Sequence, residues 1–481
     1  MFRRPILTAL LLIVFTFSGY PQGKRTIYDQ LLKVQDGTAY YHVPVGLCED
    51  YPEETTTMKL IRDDMEFLKK SGVNLLRISF GWDAIEEEKG KFNWLFWDDF
   101  VKMAVDEYGI TLVPYVCYMP KWNSTGAQDT MFFWNYPPKD YEEFGVFMKE
   151  LVNRYKSWIK SWELWNEPDI SIYWQGTPEQ FARMVKIGSK AVRQADPKAI
   201  IVLGGLAVRP EFFRQLFRDY GISPYVDVVN MHNYYETWSN NPIERLPDYV
   251  NEISEIVMRY GNKQSLWMAE VGYSTWRMKP NKVSNDYNPY YDYEHTARYQ
   301  AIELFKTLAL ALSSGKLAAI CWYEVKDLPP TENVIGDNNN RNLGVAYYDH
   351  SPKPATKALS FFNTLFSEKN KPLDRAVEVR KSVGSESYVT TFQDEDGDVT
   401  VVGWLKTNLP GERRDTTGMA KDTREEKIDL TIPLSLSGEA TLYTETGEPR
   451  KYTNLQRKDG ALVLNGVTLK GGEIFILKIK K

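Results

Sequence analysis

Cysteine and histidine are both scarce in this 481-residue chain. The three cysteines, Cys48, Cys117 and Cys321, form no CxxC pair, so a disulfide framework is excluded. Each lies in an apolar, strand-like run, where a free thiol is ordinarily buried. The four histidines, His42, His232, His295 and His350, form no HExxH and no close pair, so neither a metal nor a cofactor is expected. Walker loops, GxGxxG and GxSxG are also missing, which removes the nucleotide-binding and serine-hydrolase signatures. Positive charge is not in excess: 59 Lys and Arg stand against 64 Asp and Glu, a net charge of −5. A nucleic-acid binder needs a basic face for phosphates, so nucleic acid is not an expected partner.

Long apolar runs are missing too, save one. Residues 6–17 are apolar, follow Arg3 and Arg4, and precede Ser18, Gly19 and a polar segment. A positive start, a short apolar stretch and small residues have the form of a secretory signal. The run is short of the about 20 apolar residues that a membrane span needs, and an uncleaved anchor is the alternative. The expectation is a signal over residues 1–23 and a secreted or periplasmic product with no membrane span. What the chain does have in quantity is aromatic residues: 14 Trp, 30 Tyr and 22 Phe. Aromatic faces suit sugar rings and equally fill ordinary cores, so the count alone decides nothing.

Eight apolar runs rich in β-branched and aromatic residues lie at 43–48, 75–80, 111–118, 161–165, 200–204, 228–232, 266–271 and 318–323. Between them the period changes to that of helices. Met58, Ile61, Met65 and Leu68 share one helical face, as do Phe144, Phe147, Met148, Leu151 and Val152. Residues 296–312 make the most apolar helix. Near-continuous apolar strands alternating with helices mean a parallel sheet covered on its outer face, and eight such units predict an α/β fold, a (β/α)8 TIM barrel, over residues 27–370. A doubly wound open sheet is the alternative. After a helix at 354–366 the helical period stops. Six strand-like runs between 388 and 479, joined by turns such as Asp396-Gly397 and Asp459-Gly460, predict a small all-β sandwich over residues 374–481. Residues 408–426 are polar and predict a long exposed loop. Trp404 is the only tryptophan of this region, which is expected to brace the barrel rather than to bind glycan.

Active groups of such a barrel sit at the C-terminal ends of its strands. The fourth strand ends in Trp165-Asn166-Glu167-Pro168-Asp169, and the seventh in Ala269-Glu270-Val271-Gly272-Tyr273. Three strand–helix units separate the two, so Glu167 and Glu270 should face each other across the barrel mouth. Glycosidic cleavage needs such a pair: one carboxyl protonates the leaving oxygen, and the other attacks the anomeric carbon or activates water. Either carboxylate alone would read as a solvated strand end.

Trp165-Asn166-Glu167-Pro168 resembles the Asn-Glu-Pro signature of clan A, the retaining glycoside hydrolases with an acid/base on strand 4 and a nucleophile on strand 7. The resemblance runs over roughly residues 40–370. Trp82–Glu86 with Phe92-Asn93-Trp94 is similar to the segment after strand 2 in the β-xylosidase, α-L-iduronidase and β-galactosidase branches. Tyr347–Lys353 resembles the exit from strand 8 in exported bacterial members, and Val271-Gly272-Tyr273 is nearer the cellulase and mannanase branches. The resemblance implies Glu167 as acid/base, Glu270 as nucleophile, Arg77 as support for the nucleophile, and a carbohydrate substrate.

The neighbours have roles of their own. Asn166 can hydrogen-bond a sugar 2-OH. Arg77 ends an apolar strand, where a buried guanidinium needs an anionic partner. His232 and Tyr234 stand at the end of strand 6, beside strand 7, and a Tyr234 hydroxyl donating to Glu270 would favour its anion. Burial beside Trp165 and the charge on Glu270 would favour a protonated Glu167. Trp322 is placed to stack on the sugar in the reacting subsite, with core packing as its alternative. Trp122, Trp134, Trp174, Trp238 and Trp276 lie in loops after strands and are further candidate sugar platforms, while His42, Glu324 and Asp327 are lesser site candidates. Asp337–Asn340 and Asp394–Asp398 read as turns rather than calcium loops. The expected function is therefore an exported retaining glycoside hydrolase. Its rivals are a non-catalytic glycan-binding protein on the same barrel and a transglycosylase. The oligomeric state is not legible.

Overall fold

The computed structural model describes residues 22–53, 55–238, 241–275, 295–329, 338–407 and 422–481. The expected leader up to residue 21, Trp276, Asp337 and residues 408–421 lie outside the described residues. Eight strands, β1 (Val45–Glu49), β2 (Leu75–Gly81), β3 (Thr111–Cys117), β4 (Ser161–Asn166), β5 (Ile200–Leu206), β6 (Val228–Asn233), β7 (Ser265–Val271) and β8 (Leu317–Tyr323), pair in parallel in chain order. Strand β8 closes on β1, with Leu47 opposite Trp322, so the sheet is a closed barrel and the open doubly wound alternative falls. The strands are buried along their length up to Tyr323, as a parallel sheet covered by helices outside and filled by side chains inside must be.

The helices form where apolar residues recur on one face and where a side chain can cap the first turn. Thr57, Asp140, Thr177 and Thr296 accept hydrogen bonds from the first-turn amides of Met58–Ser71, Tyr141–Tyr155, Pro178–Ala195 and Ala297–Ser313. Thr177 and Gln180 do so reciprocally. A further helix, Gln22–Leu31, closes the bottom of the barrel: Tyr28 donates to the Leu112 carbonyl, and Trp267 Nε1 donates to the Leu31 carbonyl at 2.7 Å. No helix among the described residues is long and apolar enough to cross a membrane.

The C-terminal region is all antiparallel β. Ten strands follow, β9 (Asn370–Pro372), β10 (Glu378–Arg380), β11 (Ser387–Asp394), β12 (Val399–Leu405), β13 (Glu425–Ile432), β14 (Ala440–Tyr443), β15 (Pro449–Lys451), β16 (Gln456–Lys458), β17 (Ala461–Lys470) and β18 (Phe475–Ile479). They make a six-stranded sheet, β15-β14-β18-β12-β11-β9, and a four-stranded one, β10-β13-β17-β16. Four of these strands are three residues long and leave too little alternation to be read from sequence. Phe392, Val402, Trp404 and Ile476 from the larger sheet join the core that surrounds the barrel. This explains the unusual apolarity of helix Ala297–Ser313. It is buried from Tyr299 to Leu312, because it has barrel on one side and sheet on the other. Between Asp394 and Asp398, Lys478 Nζ lies 3.1 and 3.5 Å from the two carboxylates and supplies the positive charge that this turn requires.

Candidate active site

The site is built on the strand ends. Arg77, on β2, is fully buried and serves three residues: Nε donates to Glu163 Oε2 at 2.8 Å and Nη2 to Glu163 Oε1 at 3.2 Å, Nη1 to Glu270 Oε2 at 2.7 Å, and Nη2 also to Asn166 Oδ1 at 2.8 Å. Its guanidinium also lies 4.2 Å from the centre of the Tyr115 ring. The expected anionic partner of Arg77 is thus a pair of carboxylates. Glu163 was not singled out by sequence, yet it accepts from Arg77, from the Gly205 amide and from Asn230 Nδ2, which ties β4 to β2, β5 and β6. The demand of a buried guanidinium for an anion is the signal that points to it.

Strand β4 leaves the regular β conformation at its end. Trp165 (φ 82°) and Glu167 (φ 41°) flank Asn166 in the left-handed region, and strained residues of this kind collect at functional sites. The turn places Asn166 and Glu167 on the wall of a cavity of about 650 Å³ that Glu270, Tyr234 and Trp238 also line. Asn166 spends its carbonyl oxygen on Arg77, which leaves its amide nitrogen for the cavity.

Glu270 receives two donors, Arg77 on Oε2 and the Tyr234 hydroxyl on Oε1 at 2.8 Å. His232 Nδ1 lies 2.8 Å from Glu167 Oε1 and 3.6 Å from Glu270 Oε2. One carboxylate oxygen of Glu167, one of Glu270 and a ring nitrogen of His232 all fall within 4.8 Å of one another. Among the described residues this trio is the one group spaced to ligate a metal ion, but the adjacent Arg77 guanidinium already supplies positive charge there and disfavours a second cation.

The tautomer of His232 follows from Asn230. The Ala269 amide donates to Asn230 Oδ1 at 2.8 Å, so Nδ2 faces Glu163 Oε1 at 2.8 Å and His232 Nε2 at 3.4 Å. With a donor opposite Nε2, the ring carries its hydrogen on Nδ1 and gives it to Glu167 Oε1. Oε2 of Glu167 is then the oxygen left to carry a proton. Gly205 makes room for this ring, since a Cβ there would stand 2.0 Å from His232 Nε2.

Burial pushes the Glu167 carboxyl up to about 8, with repulsion from Asp169 adding to it and Arg77 opposing. Asp169 thus adds a further like charge to the expected mutual repulsion of Glu167 and Glu270. Asp169 is fully buried and is held by the amides of Ala207, Val208 and Arg209. Glu270 departs from expectation. Burial raises it, with repulsion from Glu167 adding to this, and together they outweigh His232, Arg77 and the Tyr234 hydroxyl, which pull the other way. His232 is itself pushed down by burial toward the neutral form, which leaves Arg77 as the standing positive charge.

Six of the seven expected site residues, Arg77, Asn166, Glu167, His232, Tyr234 and Glu270, thus form one hydrogen-bonded cluster, joined through Glu163 and Asn230. Arg77 and His232 sit behind the carboxylates rather than on the cavity wall. Trp322 is a correction. It is fully buried and packs in the core around the barrel. Side chains alternate along a strand, so Cys321 and Tyr323 point into the barrel and Trp322 points away. Tyr323 is the aromatic residue of β8 that lines the cavity. Of the loop tryptophans, Trp238 lines the cavity, Trp174 is buried, and Trp122 and Trp134 are half-buried outside it. His42 lies among Leu312, Ile320 and Phe366, Glu324 is buried, and Asp327 pairs with Lys353 at 2.6 Å, all away from the cavity.

No curated protein matches the chain in sequence. Its fold resembles that of a family 39 glycoside hydrolase from the gut symbiont Bacteroides cellulosilyticus WH2, at 17% identity, a TM-score of 0.62, and coverage of 91% of this chain and 81% of the other. A monomeric β-xylosidase from Caulobacter crescentus CB15 is similar at 16% identity and a TM-score of 0.62, over 93% of this chain and 98% of the other. The GH39 enzyme from Xanthomonas axonopodis pv. citri is similar at 15% identity and a TM-score of 0.58, over 93% and 96%. The sequence profile of glycosyl hydrolases family 39 matches residues 38–443, which takes in every strand of the barrel and both carboxylates of the mouth. The chain belongs to glycosyl hydrolases family 39 and is a glycosidase acting on a carbohydrate.

Proposed function

We propose that this glycosidase is exported and works with retention of anomeric configuration, with Glu167 as general acid/base and Glu270 as nucleophile. The observation that carries the reading is the approach of the two carboxylates to within 4.8 Å. Retaining pairs stand about 5–5.5 Å apart, and inverting pairs stand roughly 6.5–9.5 Å apart to leave room for water.

The division of labour rests on what each carboxyl touches. Glu167, with a pKa of about 8, holds a proton at neutral pH. Glu270 has a donor on each oxygen, so its charge is held where a nucleophile needs it. In the first step a Glu270 oxygen bonds to the anomeric carbon while the bond to the leaving oxygen breaks, and the Glu167 proton passes to that oxygen. In the second, water attacks the glycosyl ester, its proton goes to Glu167, and Glu270 leaves as the carboxylate. Asn166 offers its amide to the 2-OH. His232 donates to Oε1 of Glu167 and so orients the proton-bearing oxygen toward the cavity.

Export is supported by Arg3, Arg4 and the apolar residues 6–17. The β-xylosidase of Caulobacter crescentus names the first glycosides to try. Proton NMR of the first product from an aryl glycoside tests the mechanism. The same anomer as the substrate is expected, and the opposite anomer would end the double-displacement reading.

A further inference from the structure

Asp50 has no part in the two-carboxyl mechanism, yet it shares a cavity with Glu167 and Glu270. It follows the last residue of β1, at the strand end where this fold presents its chemistry. Its oxygens are held from two sides: the Tyr115 hydroxyl donates to Oδ1 at 2.6 Å, and the Tyr323 hydroxyl donates to Oδ2 at 3.2 Å. Tyr115 in turn lies under the Arg77 guanidinium, so Asp50 is tied through one ring to the catalytic cluster. A carboxylate offers about four acceptor positions. Two go to the tyrosines, and the half-buried group keeps the others for the cavity.

The second observation is the sign of charge. The acidic residues among those lining the cavity are Asp50, Glu167, Glu252 and Glu270, of which Glu167 holds its proton, and no Lys or Arg is among the described lining residues. A fixed anion beside the reacting subsite accepts hydrogen bonds from ring hydroxyls, and it repels a ring that carries a carboxylate or sulfate.

We propose that Asp50 reads the ring hydroxyls of the sugar in the reacting subsite and restricts that sugar to neutral, hydroxyl-bearing rings, excluding uronic acids and sulfated sugars. The inference rests on the reading of Glu167 and Glu270 as the catalytic pair, which fixes where the reacting sugar sits.

The test uses the full chain and aryl glycosides: neutral pentosides and hexosides, the matching uronides, and versions of the best neutral substrate lacking one ring hydroxyl. Wild type should cleave the uronides roughly a hundred-fold more slowly in kcat/KM than the neutral glycosides. Asp50→Asn keeps the shape and removes the charge. It should lose roughly ten- to a hundred-fold on the neutral glycosides, and the gap to the uronides should narrow. It should also be indifferent to the one hydroxyl whose removal hurts wild type, which a merely structural defect would not produce. Thermal unfolding checks that the variant is folded, and Asp50→Ser takes its place if it is not. A variant within twofold of wild type on neutral glycosides, or a wild type that takes uronides as readily, would overturn the inference. If Asp50→Asn is unaffected while Glu270→Ala is inert, the catalytic pair stands and only Asp50 falls. A wild type that cleaves no glycoside takes the catalytic reading down and this inference with it.

Discussion

At the barrel mouth Glu163, Glu167 and Glu270 gather near one arginine, and beside the C-terminal sheet Glu236, Glu244 and Glu303 gather near one lysine. Burial raises Glu167 and Glu270 in the first group, and it raises Glu236 and Glu303 in the second. The groups differ in what their carboxylates face. Glu167 and Glu270 line a cavity, each 8% exposed. In the second group the donors are all protein: the Ile243 amide and Thr407 hydroxyl on Glu236, Trp404 Nε1 on Glu244 at 2.7 Å, and Lys306 on Glu303 at 2.7 Å. These bonds tie the loop after β6, which carries Trp238 to the cavity, to strand β12 and its exit. A raised carboxyl alone therefore does not mark an active site; one with access to a cavity and a fixed partner of opposite charge does. Trp404, fully buried and spent on Glu244, joins the C-terminal sheet to the loop after β6.

Substitutions in the two groups should separate them. The largest effect is expected for Glu270→Ala, a loss of kcat on the order of 10⁴-fold or more, with thermal stability close to wild type. Azide added to this variant should release the inverted glycosyl azide. Glu167→Ala comes next. It should cost roughly 10²–10⁴-fold on substrates with poor leaving groups and far less on activated aryl glycosides, which need little protonation. Here azide should give the retained product. The same variant should lose the alkaline limb of the kcat/KM profile, because that limb reports Glu167 giving up its proton near pH 8. The acid limb, where Glu270 takes a proton, should remain and lie above the usual glutamate range. Smallest is Lys306→Met, which leaves Glu303 buried without its cation. About 3 kcal/mol of stability should be lost in denaturant titrations, with kcat of the folded enzyme unchanged. A Lys306→Met variant that folds as well as wild type but loses turnover would erase the distinction between the groups.

Much of this was legible in the sequence, for identifiable reasons. Parallel strands buried on both faces leave unbroken apolar runs, and all eight barrel strands were read within about two residues of each end. Arg77 was legible because a guanidinium in an apolar strand demands an anion. Glu163 was not, because a glutamate inside a strand looks the same whether it bonds an arginine across the barrel or faces solvent. Trp322 was misplaced by one residue: the alternation that sends Cys321 inward sends Tyr323 inward too, and tryptophan's affinity for sugars hid that geometry. Asp50 and Asp169 stand in loops just past strand ends, where only the closed barrel shows what they touch. The like charge of Asp169 on Glu167 was not legible beside that of Glu270, because position along the chain says little about every neighbour a buried group feels.

In double displacement Glu270 bonds covalently to the sugar. Incubating the enzyme with a 2-fluoroglycoside of a substrate it cleaves, then digesting it and weighing the peptides, tests this directly. One added glycosyl mass is expected, on the peptide and residue containing Glu270, with Glu167 unmodified. A label on Glu167, or turnover of that glycoside with no covalent adduct at any time, would contradict it.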